Sequence, residues 1–165
     1  MIDTLQNYLH LADEVALYCW CEWNKSIVEE LKLFSQDAVK NDILSNTDCF
    51  VCISGGELQG FICVGKCDFP SRYQHLTPWI QNFYVLPQHR NQGVGSKLFK
   101  HAIDYCNNIR INTVYLWTYE EHLSFYQKRG FSVLSISKMS DGARFVMMCS
   151  LQCVSDTRNL RSDKN

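Results

Sequence analysis

One stretch constrains this chain more than any other: a strand, a polar loop and a helix in direct succession between Trp79 and Cys106. Trp79-Ile80-Gln81-Asn82-Phe83-Tyr84-Val85-Leu86 is rich in aromatic and β-branched residues and reads as a strand. Pro87 ends it, because proline has no N–H to give to a ladder. After the loop, Val94, Leu98, Ala102, Ile103 and Cys106 recur at helical spacing. The first N–H groups of such a helix lack intrahelical partners and stand at the positive end of its dipole, which makes an anion site. Glycines at 93 and 95 let phosphate oxygens approach the backbone, and Arg90 adds a planar, always-charged donor. Two other glycine-loop patterns do not fit. A dinucleotide fingerprint needs glycine where Leu98 stands, and a Walker loop needs Gly-Lys-Ser/Thr where the order is Gly95-Ser96-Lys97.

Around this unit the hydrophobic period changes. Tyr8 to Trp23 places Leu9, Ala12, Val15, Ala16, Cys19, Trp20 and Trp23 at helical spacing. A second helix is expected from Ser26 to Leu44, with Ile27, Leu31, Phe34, Ala38, Val39 and Ile43 inward. Cys49 to Ile53 and Leu58 to Cys67 are β-rich runs joined by Ser54-Gly55-Gly56-Glu57, a hairpin connection. Thr113 to Trp117 reads as a strand and His122 to Arg129 as a short helix stopped by Gly130. Phe131 to Ile136 and Ala143 to Leu151 form a closing antiparallel pair that turns at Asp141-Gly142. With a short opening strand at Ile2 to Leu5, the expectation is one α+β domain over 1–152. It is a three-layer α/β/α arrangement: a mixed, mostly antiparallel sheet of six to seven strands with helices on both faces. Residues 153–165 are a polar tail.

Composition removes several classes of function. The 165 residues, 46% hydrophobic and 20% charged, suit one globular core. No apolar run reaches the roughly 18 residues of a membrane span and the N-terminus lacks the blocks of a secretory signal, so a cytoplasmic protein off the membrane is expected. A net charge of −1 argues against a nucleic-acid partner. The nine cysteines are odd in number, and several sit in apolar strand-like runs, as buried hydrophobes do. Cys49-x-x-Cys52 in a strand points its thiols to opposite faces, so no metal site is expected.

Arg90-x-x-Gly93-x-Gly95, preceded by Val85-x-Pro87 and followed by Leu98, resembles the pyrophosphate loop of the GNAT (Gcn5-related) N-acetyltransferase superfamily. Further on, Phe125-Tyr126-Gln127-Lys128-Arg129-Gly130-Phe131 is similar to that family's second signature, aromatic-Tyr-x-x-x-Gly-Phe. The order of elements matches over nearly the whole chain. The resemblance implies a GNAT-like acyl-CoA N-acyltransferase fold and an enzyme with acetyl-CoA as co-substrate, bound where the fourth and fifth strands splay apart. Phe83, Tyr84 and Val85 would then offer backbone groups to pantetheine and to the thioester carbonyl. Arg90, Asn91, Gln92, Gly93, Val94, Gly95 and Ser96 would hold the diphosphate. Tyr126 matches the position whose hydroxyl reaches the CoA sulfur. A phenol's ordinary pKa of about 10 lies above a thiol's about 8.5, so its expected part is hydrogen-bond donation to the departing thiolate. Many relatives carry Asn near the start of the last helix; here the stretch is Thr118-Tyr119-Glu120-Glu121-His122, and Thr118 and His122 are the candidates for that cofactor contact.

An ammonium acceptor must shed a proton before it attacks. Glu22, at the end of the first helix, and Asp68, before the fourth strand, are candidate bases by location, with His75 and Tyr84 as others. Trp20, Trp23, Tyr73 and Trp79 are aromatic candidates for an acceptor pocket, Trp20 reading more strongly as core. Residues 1–60 carry ten acids against three lysines, a net of −7, and residues 61–165 carry thirteen bases against seven acids, +6. The acidic portion suits a cationic small-molecule acceptor, aminoglycoside- or polyamine-like, with a peptide or protein amine as the alternative. No cysteine sits in a Cys/His nucleophile motif, which favours direct attack in a ternary complex. A homodimer is compatible with this reading. The competing class is a CoA-binding regulatory domain without turnover, which need not keep Tyr126.

Overall fold

The structure, a computed structural model, describes residues 1–23, 36–66, 71–139 and 142–151. Its strands are β1 (Ile2–Thr4), β2 (Thr47–Ser54), β3 (Glu57–Gly65), β4 (Trp79–Val85), β5 (Thr113–Thr118), β6 (Ser132–Met139) and β7 (Gly142–Ser150). Its helices are α1 (Ala12–Trp23), α2 (Gln36–Asn46), α3 (Val94–Asn108) and α4 (Leu123–Gln127). The strands form one sheet in the order β1-β2-β3-β4-β5-β7-β6. Every neighbouring pair is antiparallel except β4–β5, which is parallel. This is the mixed α+β sheet expected from the sequence.

Alternation along the central strands divides the core in two. Phe50, Cys52, Ile62 and Val64 join Leu98, Phe99, Ala102 and Cys106 of α3 on one face. Val51, Ile53, Phe61 and Cys63 join Val15 and Cys19 of α1 and Ile43 of α2 on the other. A period of two in the strands and 3.6 in the helices produces this split. Cys49 and Cys52 fall into opposite layers, which keeps their thiols apart. Among the described residues, no helix is long and apolar enough to cross a membrane.

Three boundaries differ from the sequence reading. The first α-helix starts at Ala12, not Tyr8: Leu5–Leu11 is a 3-10 segment kinked at Tyr8, and Leu9 is exposed. Asp13 and Glu14 then occupy the first turn of α1, where the helix dipole favours acids. Trp20, expected in the core, is 41% exposed on the outer side of α1. The expected helix from 122 to 129 contracts to α4, preceded by a 3-10 turn at Glu120–His122. The start of the second helix, the turn residue Asp141 and the tail from 153 lie outside the described residues.

Candidate active site

β4 and β5 meet only where Trp79 faces Tyr115, beside a hydrogen bond from the Tyr115 amide to the Pro78 carbonyl at 3.0 Å. Beyond that point the two strands have no paired positions, and the sheet forks toward Val85 and Thr118, their C-terminal ends. The other side of β4 stays zipped to β3, but with a register shift. Cys63 faces Gln81, Phe61 faces Tyr84, and Asn82 within the bulge has a φ of +48°. Such a bulge bends its strand and raises its twist. The β5-facing backbone groups of β4 from Gln81 to Val85 are therefore left without a strand partner.

Glycine makes one approach possible here. A Cβ on Gly60, opposite Val85, would stand 2.6 Å from the Tyr84 carbonyl oxygen, so only glycine lets β3 lie this close to the bulged strand.

The loop after β4 leads directly to the head of α3. Asn91 and Gly93 both have positive φ, +59° and +80°, a curvature that turns successive amides toward one concavity. Gly93 caps α3 without a side-chain hydrogen bond, and the first turn holds no acid, so the leading amides keep their positive end uncovered. A Cβ on Gly93 would meet nothing within 4 Å, whereas one on Gly95 would press on Phe83 Cζ at 3.3 Å. The two glycines thus differ: Gly93 faces the open concavity, and Gly95 packs α3 onto β4. Arg90, expected as a free donor, sends its Nε to the Val85 carbonyl at 2.9 Å and stacks 5.4 Å from the Tyr84 ring. Gln92 reaches back to the Gln88 carbonyl at 2.9 Å.

Tyr126 stands at the other arm of the fork. Its phenol lies beside Thr118, the buried last residue of β5, and its ring packs on Phe99, Phe125 and Phe131. Burial pushes the phenol up to about 12; the Arg129 charge and the Thr118 hydroxyl pull the other way. A phenol so placed stays protonated near neutrality and is a hydrogen-bond donor. Thr118 stands beside the Tyr126 phenol, and His122 is exposed at the head of α4.

On the opposite face, Tyr84 stacks on Tyr18 at 5.4 Å and meets Trp23 edge-on at 6.4 Å. Burial and the carboxylate of Glu14 raise the Tyr18 phenol. Glu22 is exposed in the last turn of α1, next to Trp23. Asp68 lies outside the described residues. Trp79 and Tyr73 pack with Val146 in the core rather than against this aromatic group, and His75 is exposed. The sequence reading did not single out Tyr18, Gly60 or Arg129. Arg129 carried a signal, standing three residues after Tyr126, where helical neighbours meet. Tyr18 and Gly60 depend on which strand and helix come to lie beside them.

No curated protein matches the chain. Among solved structures, it is similar to an aminoglycoside 6′-N-acetyltransferase complexed with coenzyme A, with 15% identity, a TM-score of 0.71, and coverage of 92% of this chain and 97% of that one. It is also similar to the ribosomal-protein-S18-alanine N-acetyltransferase from Escherichia coli, with 15% identity, a TM-score of 0.69, and coverage of 97% and 99%. Ard1 from Thermoplasma volcanium superposes with a TM-score of 0.65 at 19% identity, over 92% and 97% of the two chains. At such identities these likenesses speak for the fold. The family model for the acetyltransferase (GNAT) family matches residues 11–131, from the start of α1 through the Gly130-Phe131 signature. A match over that span, on a sheet forked where the resemblance calls for it, makes this chain a member of the GNAT family of acetyl-CoA-dependent N-acetyltransferases.

Proposed function

We propose that this chain transfers the acetyl group of acetyl-CoA to the primary amine of a cationic small molecule, by direct attack in a ternary complex. The observation that carries the reading is the fork: β4 and β5 pair at Trp79 and Tyr115 alone, with the uncapped head of α3 following one arm. The residues present fit the co-substrate. An extended pantetheine can pair with the free edge of β4 at Phe83, Tyr84 and Val85 as an added strand would. The amides from Gln92 to Ser96, with Gly93 bare, suit a diphosphate. Arg90 braces that loop against Val85 and Tyr84.

Bound acetyl-CoA supplies an activated carbonyl and a thiolate leaving group. The protein's part is to hold, polarise and move protons. Backbone N–H groups on the open edge of β4 would donate to the developing oxyanion. Tyr126, kept neutral by burial, donates a hydrogen bond to the departing sulfur. Glu22 and Asp68 are the candidates to receive the acceptor's proton. Tyr18, Trp23 and Tyr84, beside Glu14 and Glu22, give the acceptor face ring faces and carboxylates that suit an ammonium.

The test is thiol release from acetyl-CoA across aminoglycosides, polyamines and peptide N-termini. The expected result is turnover concentrated in the polycationic small amines; turnover of peptides alone moves the acceptor to the alternative class. Tyr126→Phe is expected to lower kcat about 100-fold with acetyl-CoA affinity unchanged. Heat of binding without thiol release from any amine would assign the chain to a CoA-binding regulatory role. Thermal protection by ATP or NAD and none by acetyl-CoA would remove the CoA reading altogether.

A further inference from the structure

We propose that Arg129 is a positioning residue that ties the placement of Tyr126 to the head of α3, so that filling the amide concavity also sets the phenol at the fork. This rests on the reading of Tyr126 given above. The Arg129 guanidinium bridges two distant segments. Its Nη2 donates to Ser96 Oγ at 2.9 Å, in the first turn of α3, and its Nη1 donates to the Phe125 carbonyl at 2.7 Å, in α4. Its Cζ also lies 3.5 Å from the centroid of the Phe125 ring.

α4 needs such a tie. It has five residues and none of its side chains is fully buried. A helix this short does not hold itself in water. The rings of Phe83 and Phe99 pack on Phe125, and Phe99 packs on Tyr126, but ring contacts tolerate sliding and rotation. Two directed hydrogen bonds from one rigid fork fix the rotation of α4 relative to α3. Tyr126 immediately follows Phe125, so whatever fixes that carbonyl also fixes the phenol. An anion settling on the amides beside Ser96 draws the guanidinium toward the head of α3 and tightens the tie. Lysine has a single nitrogen and cannot reproduce both bonds and the stacking.

The experiment compares hydrogen exchange over residues 123–131, with and without coenzyme A, in the wild type, R129A and R129K. It is paired with steady-state kinetics of the same proteins, of Y126F and of the R129A/Y126F double variant. In the wild type, coenzyme A is expected to slow exchange in this segment about tenfold. R129A and R129K are expected to bind coenzyme A nearly as well, to lose that protection, and to show kcat lowered about 10- to 100-fold. In the double variant kcat should stay where Y126F alone puts it, because no phenol remains to misplace. Wild-type protection in R129A, additive losses in the double variant, or full recovery by R129K each overturns the proposal. If Y126F alone leaves kcat unchanged, the reading of Tyr126 falls, and the exchange result still decides whether Arg129 couples α4 to the concavity. Should R129A not fold, S96A cuts the same bond from the other side and is expected to lose the same protection.

Discussion

β2 and β3 pair from Thr47 opposite Gly65 to Ser54 opposite Glu57, with one bulge at Gln59, while β4 and β5 meet only where Trp79 faces Tyr115. The first seam is closed by the tight Gly55-Gly56 turn, with positive φ at both glycines, and pairing runs on from it through a single register shift between Ile53 and Cys52. The second joins parallel strands, and all of α3 intervenes between them. Nothing local fixes their spacing, and the bulge at Asn82 bends β4 where pairing would otherwise continue. The closed seam spends its backbone groups on the protein and buries Val51, Phe61, Ile62 and Cys63 on both faces. The open seam leaves β4 and β5 without strand partners for each other beyond Trp79 and Tyr115, and the Val85 carbonyl accepts from Arg90 instead. One sheet thus holds a closed seam and an open one, with the β3–β4 seam between them.

The comparison can be broken first at the closed seam. Phe61 is fully buried against Tyr84 and the α1 layer. Phe61→Ala should cost about 3–5 kcal/mol, read as a lower urea midpoint at unchanged slope. A loss under 1 kcal/mol would deny that seam its structural part. A smaller effect is expected at the β3–β4 seam that lies between the closed and open ones. Gly60→Ala drives a Cβ toward the Tyr84 carbonyl at 2.6 Å and Val85 Cα at 3.1 Å, so β4 must shift. The expected cost is about 1–3 kcal/mol of stability, with KM for acetyl-CoA raised about tenfold and kcat changed less. An unchanged KM would mean that the free edge of β4 does not hold the co-substrate.

The smallest effect is in the pH dependence of stability. Tyr126 is raised to about 12 from an ordinary 10.0. Through that interval the unfolded chain gives up the phenolic proton while the folded chain keeps it, so stability falls as the pH rises. Tyr105 is also raised to about 12, by burial and then by the Asp48 carboxylate it binds at 2.7 Å, and contributes the same sign. The difference between wild type and Tyr126→Phe isolates Tyr126. The wild-type Tm should decline more steeply between pH 10 and 12, and parallel curves would deny the burial of this phenol.

The backbone of the candidate site is legible in the sequence because its signals are local. Pro87, Gly93 and Gly95 mark a strand end, a left-handed turn and a helix head by their own backbone chemistry, and the structure has Gly93 at a φ of +80° with α3 beginning at Val94. The acidic excess of residues 1–60 was also visible, but its meaning was not. Asp13 pairs with Lys40, Asp48 accepts from Tyr105 and Asp42 accepts from Asn46, so these carboxylates serve the fold.

The sequence by itself determined the periods, the turns and the two signatures, and with them the family and the layered α+β fold. Tertiary structure alone decided who meets whom. That Arg90 Nε meets the Val85 carbonyl, that Thr118 comes to lie beside Tyr126, and that Arg129 joins α3 to α4 are all set by the packing. A backbone preference is fixed by a residue and its chain neighbours. A side chain's partner, in contrast, depends on which strands pair, in what register, and where the pairing stops.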